Sequence, residues 1–314
     1  MVTGAPGFGK TSVLNAAASK VVAKAGMKLL WVNGGIVGSE AHLARMISSA
    51  KAQQDPVAKT PSSRESLGQL FCELGRGRDR PWLLAVDDVD ALFFKREELA
   101  ALVAEALLNS DEMQFLGTCH PSVGRRLTQT SSFGRALKGQ IPTIRIGLFT
   151  DAEARELVDR RVPNLPGEVS AVVVREAGGH PAALVFLARL ASIHFSQASS
   201  RGNGSEEFLD RAGELAGSVY AESWALRSPQ QRAILWQLGT SATPAKAAVI
   251  AAAVELRAPQ VSAQIKRLID EGLVLPTAQR AHYTVAPLLA RWIALRATRG
   301  RDLARDLKKA APAA

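Results

Sequence analysis

The chain has 314 residues and a net charge of +10, with 47% hydrophobic and 22% charged residues, as expected for a globular protein of two or three domains. No apolar run approaches the about 18 residues of a transmembrane helix and no signal-peptide pattern is present, so membrane association is not predicted. The two cysteines, Cys72 and Cys119, have no metal-binding spacing and fit a cytoplasmic location.

Residues 1–149 alternate strand-like and helix-like segments, a pattern typical of an α/β fold with a parallel sheet and crossover helices. Short apolar runs predict strands at 27–33, 82–87, 113–117 and 142–148. Helical patterns lie between these runs at 11–25, 40–53, 64–75, 95–109 and 121–137.

From about residue 150 the strand pattern stops, and we interpret residues 150–225 as an all-helical lid domain. The predicted helices are 151–161, 167–177, 181–195 and, after a Gly- and Ser-rich loop at 199–206, a last helix that ends near residue 225.

Residues 226–300 predict a winged helix-turn-helix domain, and residues 301–314 a basic, Ala-rich tail. Ser228-Pro229 and Thr243-Pro244 are each expected to start a helix, with the hydroxyl residue as cap and proline in the first position. A third helix at 259–271, a hairpin of 273–275 with 282–285 and a last helix after Pro287 complete the predicted domain.

A phosphate-binding loop is predicted at residues 4–11, which match the pattern G-x-x-x-x-G-K-[ST]. Glycines let backbone N–H groups turn toward phosphates, and the following helix adds its positive N-terminal end. We expect Lys10 to reach the outer phosphates and Thr11 to bind Mg²⁺. The alternative is a plain Gly-rich turn before a helix. The predicted nucleotide-binding residues of this segment are Gly4, Ala5, Pro6, Gly7, Phe8, Gly9, Lys10, Thr11 and Ser12.

Two acids follow the predicted strand at 82–87. We expect Asp87 to hold Mg²⁺ directly or through water, and Asp88 to orient the water that attacks the γ-phosphate. Both residues have a structural alternative, because an acid at the end of a strand also caps the next helix.

Thr118 ends the predicted strand at 113–117, which we place beside the strand of the phosphate loop. Its hydroxyl is a candidate for bonding the γ-phosphate or the attacking water, so Thr118 and Asp88 are the predicted catalytic residues. A threonine that simply ends a strand is the alternative.

The motifs and their order resemble those of the STAND class of AAA+-related ATPases (signal-transduction ATPases with numerous domains). The segments that carry the resemblance are the phosphate loop, LLAVDDVD at 83–90, FLGTCHPS at 115–122, Gly179-His180-Pro181 and the predicted winged helix. This arrangement is similar to the ATPase part of bacterial transcriptional regulators and to initiator-type AAA+ proteins. The resemblance covers roughly residues 1–298.

The resemblance implies that Pro181 lies against the adenine of ATP or ADP. Two features depart from the family pattern. Relatives often carry arginine where this chain has His120, which puts γ-phosphate sensing at that position in doubt. Only Met1-Val2-Thr3 precede the loop where a strand of about five or six residues is usual, so we expect that the chain is a fragment or that its natural start lies upstream.

The C-terminal part carries nearly all of the excess charge, since residues 226–314 contain 14 Lys and Arg but five Asp and Glu. Such a segment attracts polyanions, and a winged helix can place its third helix in the DNA major groove. The predicted reading helix offers Gln260, Ser262, Gln264, Lys266 and Arg267. The alternative is that the module packs on the ATPase part, as in resembling proteins.

Three functions remain open. The first is a STAND-type switch that hydrolyses ATP to ADP and phosphate, self-associates in its ATP form and holds its winged helix against the core in its ADP form. The second is an initiator- or transposition-type AAA+ ATPase that binds DNA. The third is a nucleotide-binding scaffold without hydrolysis.

Overall fold

The computed structural model describes residues 1–54, 67, 69–70, 81–93, 97–108, 113–121, 123–124, 141–197 and 204–299. The chain divides into two compact units. The first contains Met1–Gly4 and Gly9–Ile146, and the second contains Ala5–Phe8 together with Gly147–Ala314. Within the described ranges no helix is both long and apolar enough to cross a membrane.

A five-stranded parallel sheet forms the centre of the first unit. Its strands are β1 (Val2–Thr3), β2 (Lys28–Asn33), β3 (Trp82–Asp87), β4 (Met113–Cys119) and β5 (Ile144–Arg145). The spatial order is β2-β3-β4-β1-β5, with parallel pairing throughout. β4 pairs with β1, so the predicted neighbour of the phosphate-loop strand is confirmed. β3 is buried along its whole length, as its continuous apolar sequence requires.

The strand predicted at 142–148 is shorter than expected. Only two residues of β5 pair with β1, Val2 opposite Ile144 and Thr3 opposite Arg145. Because β1 itself contains two residues, the ladder it offers to β5 cannot be longer. β1 nevertheless lies between β4 and β5.

The described helices of the first unit are α1 (Lys10–Ala25), α2 (Glu40–Gln54), α3 (Val89–Phe93) and α4 (Glu97–Leu108). Three of them match the predicted helices within a few residues. α3, which follows the two acids of β3, was not predicted. The helices predicted at 64–75 and 121–137 lie mostly outside the described residues.

The second unit begins with five helices. They are α5 (Asp151–Arg161), α6 (Gly167–Ala177), α7 (Pro181–Gln197), α8 (Gly204–Leu215) and α9 (Gly217–Ala225). The predicted start of α5 is confirmed by a capping box between Thr150 and Glu153. The predicted loop at 199–206 was wrong at its end, since α8 already begins at Gly204. The single helix expected up to residue 225 is divided at Ala216.

The rest of the second unit combines helices with a small antiparallel sheet. Its elements are α10 (Pro229–Thr240), β6 (Ala245–Lys246), α11 (Ala247–Ala253), α12 (Ala258–Asp270), β7 (Val274–Pro276), β8 (His282–Val285) and α13 (Pro287–Arg299). The predicted hairpin is confirmed as β7 and β8, and β6 adds a third strand in the order β6-β8-β7. The helix start predicted at Thr243-Pro244 was wrong, because Ala245 and Lys246 pair with β8 before the helix begins.

One continuous apolar core joins the helices of the second unit, and apolar residues at helical spacings in its C-terminal part lie in it or against it. These residues are Leu235, Leu238, Ile250, Val261, Ile265 and Leu268, all buried, with Val254 and Ile269 partly buried. Trp224 and Trp292 pack edge to face at 5.5 Å between ring centroids. Both are packing residues of this core.

Two ion pairs connect distant elements of this unit. Glu176 of α6 is buried and accepts a hydrogen bond from Nε of Arg291 on α13 at 2.8 Å. Arg227, which follows α9, pairs with Glu271 at the end of α12. Both pairs hold a largely buried carboxylate, so each fixes the relative position of the helices it joins.

Candidate functional site

The predicted phosphate loop connects β1 to α1 with a backbone that requires glycine. Gly7 and Gly9 have φ angles of 78° and 84°, in the left-handed region that glycine tolerates best. Gly9 is also the N-cap residue of α1 and provides no side-chain hydrogen bond to the first turn. The N–H groups of that turn therefore point out of a 16-residue helix in the way that suits an anion.

The start of the loop lies against the end of the sheet. The Gly4 N–H donates to the carbonyl of Cys119 at 3.3 Å. A Cβ on Gly4 would come within 2.6 Å of Cγ1 of Ile146, so a larger residue does not fit. Burial raises the pKa of the Cys119 thiol to about 12, which makes this cysteine a packing residue at neutral pH.

Three predicted site residues meet at Asp87, a buried carboxylate at the end of β3. The Thr11 hydroxyl donates to Oδ2 at 2.7 Å, and the Thr118 hydroxyl donates to Oδ1 at 2.5 Å. The parallel sheet explains this meeting, because α1, β3 and β4 present these residues at the same edge. Both oxygens of the carboxylate are thus oriented by the protein.

The Thr118 hydroxyl has a second partner, since it accepts the N–H of Asp88 at 3.0 Å. A hydroxyl has a single proton to donate, and here that proton goes to Asp87. A phosphate oxygen can only accept a hydrogen bond. The expected contact of Thr118 with the γ-phosphate would therefore require the bond to Asp87 to break, and in the structure the hydroxyl bridges the Asp87 carboxylate and the Asp88 N–H.

Asp88 has an unusual backbone conformation, with a φ angle of 53°. Its carbonyl lies so close to Gly34, in the loop after β2, that a Cβ there would approach the oxygen to 2.3 Å. The Gly34 N–H donates to the Asp87 carbonyl at 2.7 Å. The strained residue follows the buried carboxylate directly, a position typical of functional sites.

The donor set fits Mg²⁺. Oxygens bound to one octahedral Mg²⁺ at about 2.0–2.1 Å lie about 2.9 Å apart when adjacent. The Thr11 hydroxyl and Oδ2 of Asp87 are 2.7 Å apart, close to that spacing. Among the described residues no group of three or more His, Cys, Asp or Glu could form a metal cage.

The tip of the loop, Ala5–Phe8, belongs to the second unit together with Pro181. Pro181 is buried at the first position of α7, and the next residue, Ala182, donates its N–H to the Gly7 carbonyl at 3.1 Å. Phe8 is 5% exposed and its ring meets that of His180 edge to face at 5.2 Å. Phe8 was predicted as a nucleotide-binding residue, whereas its packing against the ring of His180 was not predicted.

The pKa of His180 is strongly lowered. His180 is 2% exposed, and burial lowers its pKa to about 4, so the ring is neutral at pH 7. Its Nδ1 accepts the N–H of Ala183 at 3.4 Å. His120, which stands where relatives often carry arginine, is half-buried and lies just after β4.

Comparison with known proteins identifies the family and the fold. The profile of a family described as Novel STAND NTPase 1 matches residues 1–310. A Walker-type ATPase of Pyrococcus abyssi superposes with a TM-score of 0.65 at 18% identity, over 93% of this chain and 90% of that one. A search of the curated proteins returned no match.

Two archaeal proteins share the fold as well. The ORC2 protein of Aeropyrum pernix, solved as ADPNP–ADP complexes, superposes with a TM-score of 0.66 at 14% identity, over 98% of this chain and 87% of that one. Cdc6p of Pyrobaculum aerophilum gives a TM-score of 0.52 at 15% identity, over 98% and 87% of the two chains.

Proposed function

The chain belongs to the STAND NTPase family and is a nucleotide-binding P-loop ATPase of the STAND/AAA+ kind, and from this premise we propose that it is a molecular switch controlled by ATP hydrolysis. In this proposal ATP binds with Mg²⁺ and is cleaved to ADP and phosphate. The nucleotide state then controls a basic winged-helix module that acts in signalling or transcription regulation.

The observation that carries the proposal is the meeting of Thr11 and Thr118 at the Asp87 carboxylate. Thr11 and Asp87 would hold Mg²⁺, which supplies charge stabilisation to the phosphates when bound. Asp88 would accept the proton of the attacking water, and Lys10 would neutralise charge on the outer phosphates. Thr118 keeps Asp87 and Asp88 in place for these roles.

The loop residues from Gly4 to Ser12 would surround the phosphates, and Pro181 would contact the adenine. The positive φ angles of Gly7 and Gly9 and the uncapped first turn of α1 support the phosphate site. The fold is similar to that of the Aeropyrum pernix ORC2 protein, which was solved as ADPNP–ADP complexes, and this likeness supports nucleotide binding by the present chain. The division into an ATPase core, a lid and a winged helix remains part of the proposal.

The winged helix rests on the order of elements from α10 to α13. Helix, strand, two helices, two strands and a final helix follow one another, and the three strands form one antiparallel sheet. We propose that the ADP form holds this module against the ATPase part and that the ATP form releases it and self-associates.

A second function, that of a DNA-binding ATPase, is favoured by the surface of α12. Val261, Ile265 and Leu268 face the core, whereas Lys266 and Arg267 are exposed. Gln260 and Ser262 are exposed on the same helix. Glu271, which would have opposed DNA, pairs instead with Arg227. A basic and polar helix face of this kind fits the major groove.

The test is ATP turnover by the purified protein with and without duplex DNA, beside Lys10→Ala and with EDTA. We expect slow turnover that requires Lys10 and Mg²⁺ and is unchanged by DNA. Size measurements in ADP and in a non-hydrolysable ATP analogue test self-association. Nucleotide binding without any turnover would leave only the scaffold function.

For the second function, Lys266→Ala with Arg267→Ala is compared with a matched double variant, Arg155→Ala with Arg161→Ala. Both variants remove two exposed cations from the second unit, but only the first pair lies on α12. DNA-stimulated turnover that the first variant alone abolishes would favour the DNA-binding ATPase over the autoinhibited switch.

A further inference from the structure

Phe8 is a large apolar residue in a loop whose other members are mostly small. Its side chain is 5% exposed, and two of the residues it lies against belong to the second unit. One is the ring of His180, at 5.2 Å and an interplanar angle of 80°. The other is Gly272, where a Cβ would lie 2.9 Å from Cζ of Phe8.

The position next to the Phe8 ring that Gly272 occupies requires glycine for two reasons. Its φ angle of 67° is strained for any residue with a side chain. A Cβ there would also come within 2.7 Å of Cδ2 of Leu148. Gly272 follows α12 directly, so the ring of Phe8 touches the turn that ends the proposed reading helix.

The His180 side continues into the helical core. Its ring packs edge to face on Tyr220 of α9 at 5.6 Å, so Phe8, His180 and Tyr220 form one aromatic row. Gly7 completes the attachment, because its carbonyl accepts the N–H of Ala182, and a Cβ on it would approach Cε1 of His180 to 2.8 Å. The loop tip is therefore fixed by both a backbone bond and a buried ring.

We infer that Phe8 is a positioning residue, whose ring on His180 and Gly272 holds the phosphate loop in the conformation that binds nucleotide and links that conformation to the helical unit. The inference rests on the proposed function. Gly7 and Gly9 flank Phe8 with positive φ angles, so the backbone there follows the ring with little resistance. By linkage, a nucleotide that shifts the loop must also change how tightly the ring is held.

The chain offers a matched control pair in the same unit. The rings of His194 and Phe195 on α7 also meet edge to face, at 5.0 Å. Phe195 packs on the buried ring of Phe208 rather than on the phosphate loop. Substitutions in this pair remove a similar contact without touching the loop.

The experiment begins with amide hydrogen exchange of residues 5–11 in the nucleotide-free protein. We expect Phe8→Ala to accelerate exchange of this segment by about tenfold, whereas Phe195→Ala leaves it unchanged. The affinity for a fluorescent ADP analogue should fall about 3- to 10-fold in Phe8→Ala, the value of one aromatic contact, and Phe8→Leu should restore most of it. Turnover at saturating ATP should change less than the affinity.

A double-mutant cycle then tests the partner. His180→Ala should weaken binding on its own, and combining it with Phe8→Ala should add little, because both variants remove one contact. His194→Ala should be additive with Phe8→Ala. Unchanged exchange and affinity in Phe8→Ala, beside a parent protein that binds nucleotide, would overturn this inference alone. A parent protein that binds no nucleotide would overturn the proposed function and this inference with it.

Discussion

The hydroxyl of Thr118 allows the sharpest test of how the site is built. Thr118 is fully buried, and replacement by valine keeps the shape while it removes the hydroxyl. Thr118→Val therefore takes one donor from the Asp87 carboxylate and leaves the Asp88 N–H without the acceptor it has in the structure. The bond to the charged carboxylate contributes about 1.5–3 kcal/mol and the bond from the Asp88 N–H about another 1 kcal/mol, so we expect a loss of about 3 kcal/mol in the free energy of unfolding.

The same variant should slow ATP turnover by about 10- to 100-fold, since each 1.4 kcal/mol lost from the oriented carboxylate corresponds to about tenfold in rate. It should also raise the Mg²⁺ concentration needed for half-maximal turnover, because Asp87 is one of the two proposed ligands. Thr118→Ser keeps the hydroxyl and is the matched control. Urea unfolding gives the stability, and single-turnover hydrolysis over a Mg²⁺ series gives the rate.

A valine variant with the Mg²⁺ dependence and turnover of the parent would contradict the positioning role of Thr118. That role would equally be refuted by a serine variant as impaired as the valine one, since that result would make the methyl group, and not the hydroxyl, the important part of Thr118. A changed rate with unchanged Mg²⁺ dependence would favour direct contact between Thr118 and the phosphate over the positioning role.

Three further predictions concern other parts of the chain. Gly34→Ala places a Cβ 2.3 Å from the Asp88 carbonyl, so ATP turnover should fall by at least about tenfold while the protein still folds on circular dichroism. Arg291→Ala leaves the buried Glu176 without its α13 partner and should lower the free energy of unfolding by about 1–3 kcal/mol, whereas Arg291→Ala combined with Glu176→Gln should recover part of that loss. Because burial lowers the pKa of His180 to about 4, its proton is bound preferentially by the unfolded chain, and stability should fall by about 2 kcal/mol from pH 7 to pH 5 in the parent but less in His180→Gln, as measured by urea unfolding at both pH values.

The strands of the sheet were largely predictable because they depend on local patterns, and of the strand order only the pairing of β4 with β1 was predicted. β2, β3 and β4 are short apolar runs, and a parallel sheet brings their carboxyl ends to one edge. The meeting of Thr11, Asp87 and Thr118 follows from that edge and from the phosphate-loop motif. What the motif did not reveal is the direction of the Thr118 hydroxyl, since that depends on distances of a few tenths of an ångström.

The errors lie where tertiary pairing overrides local preference. Thr243-Pro244 is a good helix start by its residues alone, but the next two residues find hydrogen bonds on β8 first. The contacts of Phe8 with His180 and Gly272 could not be predicted either, because the three residues are brought together only by the folded chain. Periodicity marks the core face of each helix separately and contains no information about such distant contacts.

The shared core of the second unit has a consequence for how the protein is assembled and how it can move. Residues from α5 through α13 belong to one apolar cluster, and the ion pairs of Glu176 and Glu271 cross it. Helices that share one core melt together, so the helices up to residue 225 are not expected to fold when the chain is cut there. A nucleotide-driven rearrangement that parted α5–α9 from α10–α13 would have to dismantle this core, whereas a motion of the whole unit leaves it intact. Helices α5–α13 are therefore expected to respond to any rearrangement as one body rather than as two halves joined by a hinge.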